Sequence, residues 1–101
     1  MRKIERQLFE AIVNHDIAVI KETLDKGANP NVFKSKIERI TPLMVAARVN
    51  NVAVIKLLID YGANRDLEDF IGRDAYEYAE TFNSKAAMVA LMSYIENPHQ
   101  D

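Results

Sequence analysis

Thr41-Pro42-Leu43-Met44-Val45-Ala46-Ala47, followed after Asn50-Asn51 by Val54-Ile55-Lys56-Leu57-Leu58-Ile59-Asp60-Tyr61-Gly62-Ala63-Asn64, is a complete helix–turn–helix written in local signals. Thr41 offers a side-chain oxygen to the amides of a first turn, and Pro42 occupies the first helical position, where its missing N–H costs nothing. Leu43, Ala46 and Ala47 share one face at spacings of three and four, and the small residues let another helix approach closely. Asn50 enters a left-handed turn cheaply and so ends the first helix, while Asn51 is placed to cap the second. That second helix carries the apolar stripe Val54, Ile55, Leu57, Leu58 and Ile59 and stops at Gly62.

Working outward, the same unit recurs on both sides. A shift of 35 lays residues 8–28 on 43–63: Leu8 meets Leu43, Ala11 meets Ala46, Ile17 meets Val52, Ile20 meets Ile55 and Leu24 meets Ile59. Gly27-Ala28-Asn29 falls on Gly62-Ala63-Asn64. A shift of 33 then sets Leu43 on Tyr76, Ala46 on Ala79, Ile55 on Met88 and Leu58 on Leu91. The equivalent cap positions hold Asp16, Asn51 and Ser84, and just before them stand His15, Asn50 and Asn83, types that tolerate positive φ. Asp74 caps the first helix of the third unit by the same oxygen chemistry. Apolar matches recur by chance more easily than matched turn chemistry, so the turns carry the repeat assignment.

These residues resemble the ankyrin-repeat family, whose consensus runs T-P-L-H-x-A-A, an aliphatic helix, then G-A-D or G-A-N. The resemblance covers about residues 4–95. It implies an all-α ankyrin solenoid of three helix–turn–helix repeats joined by β-hairpin-like loops. Residues 1–96 form the domain, with repeats at about 4–38, 39–71 and 72–96, and 97–101 (Asn97-Pro98-His99-Gln100-Asp101) form a polar tail. Met44 stands in place of the usual His, Asp74-Ala75-Tyr76-Glu77 in place of T-P-L-H, and Ile95 in place of a terminal glycine. The first connection, Phe33 to Ile40, is two residues longer than standard. Terminal repeats drift in this way because their outer faces have no neighbour to bury them. Tyr76, Met88, Leu91, Met92 and Ile95 are expected in the core. Ala86, Ala87 and Ala90 are expected to leave the last helix without a strongly polar outer face.

The resemblance also implies binding to another protein through hairpin tips and the concave surface of the first helices. Carried over residue by residue, the first tip holds Phe33, Lys34, Lys36, Ile37 and Arg39, and the second Glu68, Phe70, Ile71 and Arg73. Arg48, Val49 and Phe82 lie at first-helix ends, with Val13, Asn14 and Thr81 at related positions. Phe70 and Ile71, apolar on a turn, are the anchors expected to dominate an interface. Lys34, Lys36, Arg48 and Arg73 are expected to add positive charge. An adaptor is the first role expected; the alternative is an inhibitor or immunity-type protein that occludes a toxin or enzyme.

Composition narrows the remaining classes. The 101 residues are 49% hydrophobic and carry a formal charge of −2, with pI ≈ 5.7, which points away from nucleic acid. Charge is uneven: residues 1–59 hold ten Lys/Arg against six Asp/Glu, and residues 60–101 three against nine. There is no cysteine, which excludes disulfides and thiolate metal sites and fits a cytoplasmic protein. The longest apolar run, Ala86 to Met92, is too short to span a bilayer, and Met1–Gln7 is charged with no signal stretch behind it. No phosphate loop, zinc spacing or serine elbow appears, so neither cofactor nor catalysis is expected. His15 belongs to a turn, His99 to the tail, and Glu77 with Glu80 to a helix surface. A monomer is expected, with the last helix as the face through which a dimer would form.

Overall fold

Six helices in three pairs make up the computed structural model, which describes residues 1–96. They are α1 Lys3–Val13 and α2 Ile17–Asp25, α3 Pro42–Arg48 and α4 Val52–Asp60, and α5 Ala75–Thr81 and α6 Lys85–Glu96. The helix starts follow the cap chemistry. Asp16, Asn51, Thr41 and Asp74 accept from the amides of Val19 (3.2 Å), Val54 (3.1 Å), Met44 (3.3 Å) and Glu77 (2.9 Å). Glu77 returns the bond to the Asp74 amide at 3.1 Å, so its carboxylate closes a capping box. Met44 closes the equivalent box at Thr41: its thioether accepts the Thr41 amide at 3.3 Å, and the side chain is fully buried.

The ends are equally regular. His15, Asn50 and Asn83 take φ of +57°, +59° and +55°, and Gly27 and Gly62 take +96° and +97°. At all five, paired bonds run back to the helix, for example Ala28 N–H to Thr23 C=O (3.0 Å) and Gly27 N–H to Leu24 C=O (3.0 Å), the Schellman arrangement. No strand forms among the described residues. Each long connection is instead closed by a single backbone bond at its neck, Lys34 N–H to Ile40 C=O (2.7 Å) and Asp69 N–H to Arg73 C=O (2.9 Å).

The first helices α1, α3 and α5 lie side by side, with α2, α4 and α6 in a second row behind them. Ala46, Ala47 and Ala79 have no exposed surface, which is what lets α3 and α5 pack closely. Leu8, Ile12, Ile20, Leu43, Ile55, Leu58 and Leu91 fill the space between the rows. Each such side chain contributes about 1.5–3 kcal/mol by leaving water.

Polar side chains join the repeats. Asn31 donates to the Gly62 carbonyl (3.1 Å) and accepts the Asn64 amide (2.7 Å). Arg2 and Glu5 satisfy the same two groups one repeat earlier: Arg2 donates to the Gly27 carbonyl (3.0 Å), and buried Glu5 accepts the Asn29 amide (3.0 Å). The Arg2 hydrogen bond, at 2.6 Å, holds the Glu5 carboxyl below its ordinary range against the opposing effect of burial. Tyr61 donates to Asp25 and receives Lys21, tying α4 to α2.

Three expectations are corrected. Ser84 does not accept the α6 amide: the Ala87 N–H goes to Asn50 Oδ1 (2.9 Å), while the buried Ser84 hydroxyl donates to the Arg48 carbonyl (3.0 Å). The longer Asn side chain reaches across the stack, and the serine proton finds the nearer carbonyl. Ala87 and Ala90 belong to the core, since they share a helical face with Leu91; the outward face of α6 carries Val89 and Met92, and Met88 is half-buried. Met92 is therefore exposed and not in the core, whereas Tyr76 is half-buried against the core with its hydroxyl at the exposed edge beside Met92, and Tyr78 is the buried tyrosine. The Ile95 side chain and the tail 97–101, with His99, lie outside the described residues.

Candidate partner-binding face

Asp69 builds the second loop. Its side chain is buried and accepts the Ile71 amide (3.1 Å), the Arg73 amide (2.9 Å), Arg73 Nε (3.0 Å) and the Tyr78 hydroxyl (2.5 Å). Burial, the largest single influence, pushes the Asp69 carboxyl up. The hydrogen bonds from Tyr78, Arg73 and Ile71 together outweigh it and hold the group down at about 2. Tyr78 is pushed up to about 12, first by its own burial and then by the bond to Asp69. Gly72, at φ +83°, completes the reversal.

The first loop has its own turn. Ser35 Oγ accepts the Glu38 amide (3.0 Å), and the Arg39 amide reaches the Ser35 carbonyl (2.9 Å). Arg39 takes φ +55°, a conformation its side chain gives no reason to expect. The extra length is thus folded into a closed turn. The Phe70 amide donates to the Glu38 carbonyl at 3.0 Å, so the two loop tips are joined by backbone.

These loops stand beside two hollows on the α1–α3–α5 face. One, of about 220 Å³, is lined by Ile40, Val45 and Tyr78 together with four residues anticipated from sequence: Lys34, Arg48, Arg73 and Phe82. The other, of about 660 Å³, lies along α1 between Met1, Arg6, Phe9, Glu10, Val13 and Asn14, and Lys34 lines it as well. Phe33, Ile37, Phe70 and Ile71 are exposed on the loops, Ile37 most of all at 81% and the Phe70-Ile71 tip at 52% and 59%. Lys36, Arg39 and Glu68 are exposed on the same loops but line neither hollow. Val49 is half-buried against the core.

One charge expectation changes. The Arg73 guanidinium lies over the Tyr78 ring, 4.5 Å from its centroid, and pairs with Asp69, so its positive charge is balanced within the loop. Sequence places Asp69 on the second tip with Glu68, Phe70 and Ile71 but gives no sign of its burial, and it does not single out Tyr78, Ile40 or Val45 for the site. The spacing of Asp69 four residues before Arg73 is the one sequence signal that pointed to the pair.

Two of the residues weighed for catalysis, His15 and Glu77, have structural partners. His15 Nδ1 lies 2.8 Å from Asn51 Nδ2 and therefore accepts a hydrogen bond across the repeat boundary. Glu77 is engaged in its capping box. Among the described residues no group of three or more His, Asp or Glu is placed to hold a metal ion, and no helix is long and apolar enough to cross a membrane.

Comparison with known proteins adds the family. A profile described as ankyrin repeats, in three copies, matches residues 8–101. An ankyrin repeat protein of fowlpox virus (strain NVSL) is 29% identical over 79% of this chain and 42% of its own length. An ankyrin repeat-containing protein of Treponema pallidum (strain Nichols) is 40% identical over 75% of the chain and 25% of its own. A mouse protein with ankyrin repeat, SAM and basic leucine zipper domains is 41% identical over 58% of the chain and 12% of its own. The chain thus spans less than half the length of each of these relatives.

Proposed function

The chain belongs to the ankyrin-repeat family, and we propose that it docks a partner protein on the α1–α3–α5 face and on the tips of its two long loops. Ankyrin repeats are in general protein–protein interaction modules, and the family is typically non-catalytic. In this reading residues 1–96 form one solenoid domain, with repeats at about 4–38, 39–71 and 72–96, working in the cytoplasm. The sites are those anticipated above, less the free charge of Arg73.

One observation carries the reading. Phe70 and Ile71 stay half-exposed at the tip of a loop whose neck is held by buried Asp69, and that tip is tied by backbone to the neighbouring loop. Apolar side chains carried on a backbone fixed by such bonds leave only their own rotamers to be ordered on binding, a condition under which anchors contribute strongly. Phe82, also half-exposed, extends the apolar surface into the smaller hollow.

The test is affinity capture with the wild-type chain and with the Phe70→Ala, Ile71→Ala double variant. Both side chains point into solvent, so the variant is expected to fold and to lose the captured partner. Equal capture by both proteins refutes the anchor. Assaying any enzymatic activity of the partner with and without this chain separates an adaptor, which leaves it intact, from an inhibitor, which abolishes it stoichiometrically. A monomer is the expected state; light scattering that showed a dimer would direct attention to exposed Val89 and Met92 on α6.

A further inference from the structure

We infer that the occupant of the α1–α3–α5 face is an acidic segment of a partner protein, with an apolar side chain next to a carboxylate. This rests on the docking reading above and adds the chemistry of what docks. Arg6, Lys34, Arg48 and Arg73 line the two hollows, against Glu10 as the one carboxylate lining either of them. Arg73 is already balanced by Asp69. Lys34 and Arg48 have no carboxylate within ion-pair distance among the described residues. A protein with net charge −2 therefore presents a locally basic groove, these two cations flanking a pocket with an apolar floor of Ile40, Val45 and Phe82.

The size of the hollow decides what enters it. About 220 Å³ falls below the roughly 300–1,000 Å³ of small-molecule pockets, and suits one aliphatic or aromatic side chain instead. Lys34 borders both hollows, so a segment crossing from α5 to α1 passes it and sets a carboxylate between Lys34 and Arg48. Charge of this kind steers encounter and fixes register, while the apolar anchor supplies most of the affinity. A nucleic acid would also seek the cations. Its phosphates call for a larger basic surface, about 6–10 contacts, than is provided by Arg6, Lys34 and Arg48, the cations lining the hollows that have no ion pair among the described residues.

The experiment is selection of peptides from a randomised display library on the wild-type chain, followed by solution affinities of the enriched peptides. Enriched peptides are expected to carry Asp or Glu beside Leu, Ile or Phe, and to bind more weakly as salt is raised. The Lys34→Glu, Arg48→Glu double variant is expected to weaken them about tenfold or more. Both side chains are exposed, and unchanged circular dichroism and melting confirm that the variant folds. Peptides lacking carboxylates that are still lost on Phe82→Ala overturn the acidic occupant and leave the docking face standing. A selection yielding no peptide sensitive to either the charge variant or Phe82→Ala overturns both. Tighter binding of an oligothymidine at Lys34 and Arg48 than of any peptide overturns the protein segment as occupant.

Discussion

The Asp69 carboxylate receives four donors, two of them backbone amides, and a neutral amide in its place cannot accept from all of them. Asp69→Asn is expected to destabilise the chain by about 1–3 kcal/mol or somewhat more, because a buried donor loses its partner beside a guanidinium. The same site sets an acid limit. A carboxyl held at about 2 when folded, against 3.8 ordinarily, contributes stability that is fully present above pH 4. That stability is lost as pH falls through about 2, and the difference corresponds to roughly 2–3 kcal/mol. Glu5 acts in the same sense, its carboxyl held down by Arg2. Chemical denaturation across this window should show a steeper acid loss for wild type than for Asp69→Asn; parallel curves would remove Asp69 from the account. Gly62 is limited by backbone alone. A Cβ there meets nothing within 4 Å, but φ is +97°. Gly62→Val is thus expected to cost about 1–2 kcal/mol through strain, and an unmoved melting temperature would contradict this.

Between helices, what was legible in the sequence and what was not divides by distance along the chain. Helix starts at Thr41, Asn51, Asp16 and Asp74, and left-handed ends at His15, Asn50 and Gly62, depend on groups a few residues apart, so local chemistry determined them. The cap of α6 depends on Asn50, which is 37 residues away and reaches Ala87 only through the register of the stack. Ser84 looked like the cap because its type and position were right, and only packing assigned its proton to the Arg48 carbonyl. The same holds for the candidate binding face. Exposed Phe70 and Ile71 were readable as apolar residues on a turn, whereas the neutralisation of Arg73 needed the three-dimensional placement of Tyr78 and Asp69. Asn50→Gly tests the crossing directly, since glycine keeps the positive φ and deletes the side chain that caps α6. A loss of about 0.5–2 kcal/mol is expected on denaturation. Asn50→Asp, which retains the acceptor, should recover most of it. If glycine proves neutral, the bond to Ala87 contributes nothing measurable.

Across the whole molecule, the repeats are held together by the same bonds that escaped local reading. Asn31 joins the first connection to the second repeat's glycine turn, Tyr61 joins α4 to α2, and Asn50 and Ser84 join the second and third repeats. Phe70 closes the loop side through the Glu38 carbonyl. A repeat array is stable when interface terms exceed what each unit lacks alone, and about three units is the minimum for that balance. Every described boundary here has both apolar packing and polar bonds, so no unit has a reason to melt separately. The chain offers a convenient check, because it has no tryptophan and its tyrosines are Tyr61, Tyr76, Tyr78 and Tyr94. Tyrosine fluorescence therefore reports the second and third repeats, while far-ultraviolet circular dichroism reports helices in all three. Denaturation followed by the two signals is expected to superimpose in wild type and to shift together in Asn50→Gly. Separated transitions in wild type would mean that the first repeat unfolds on its own. In that case the α1–α3–α5 face would lose its α1 side before the rest, and a partner bound there would be the element that restores it.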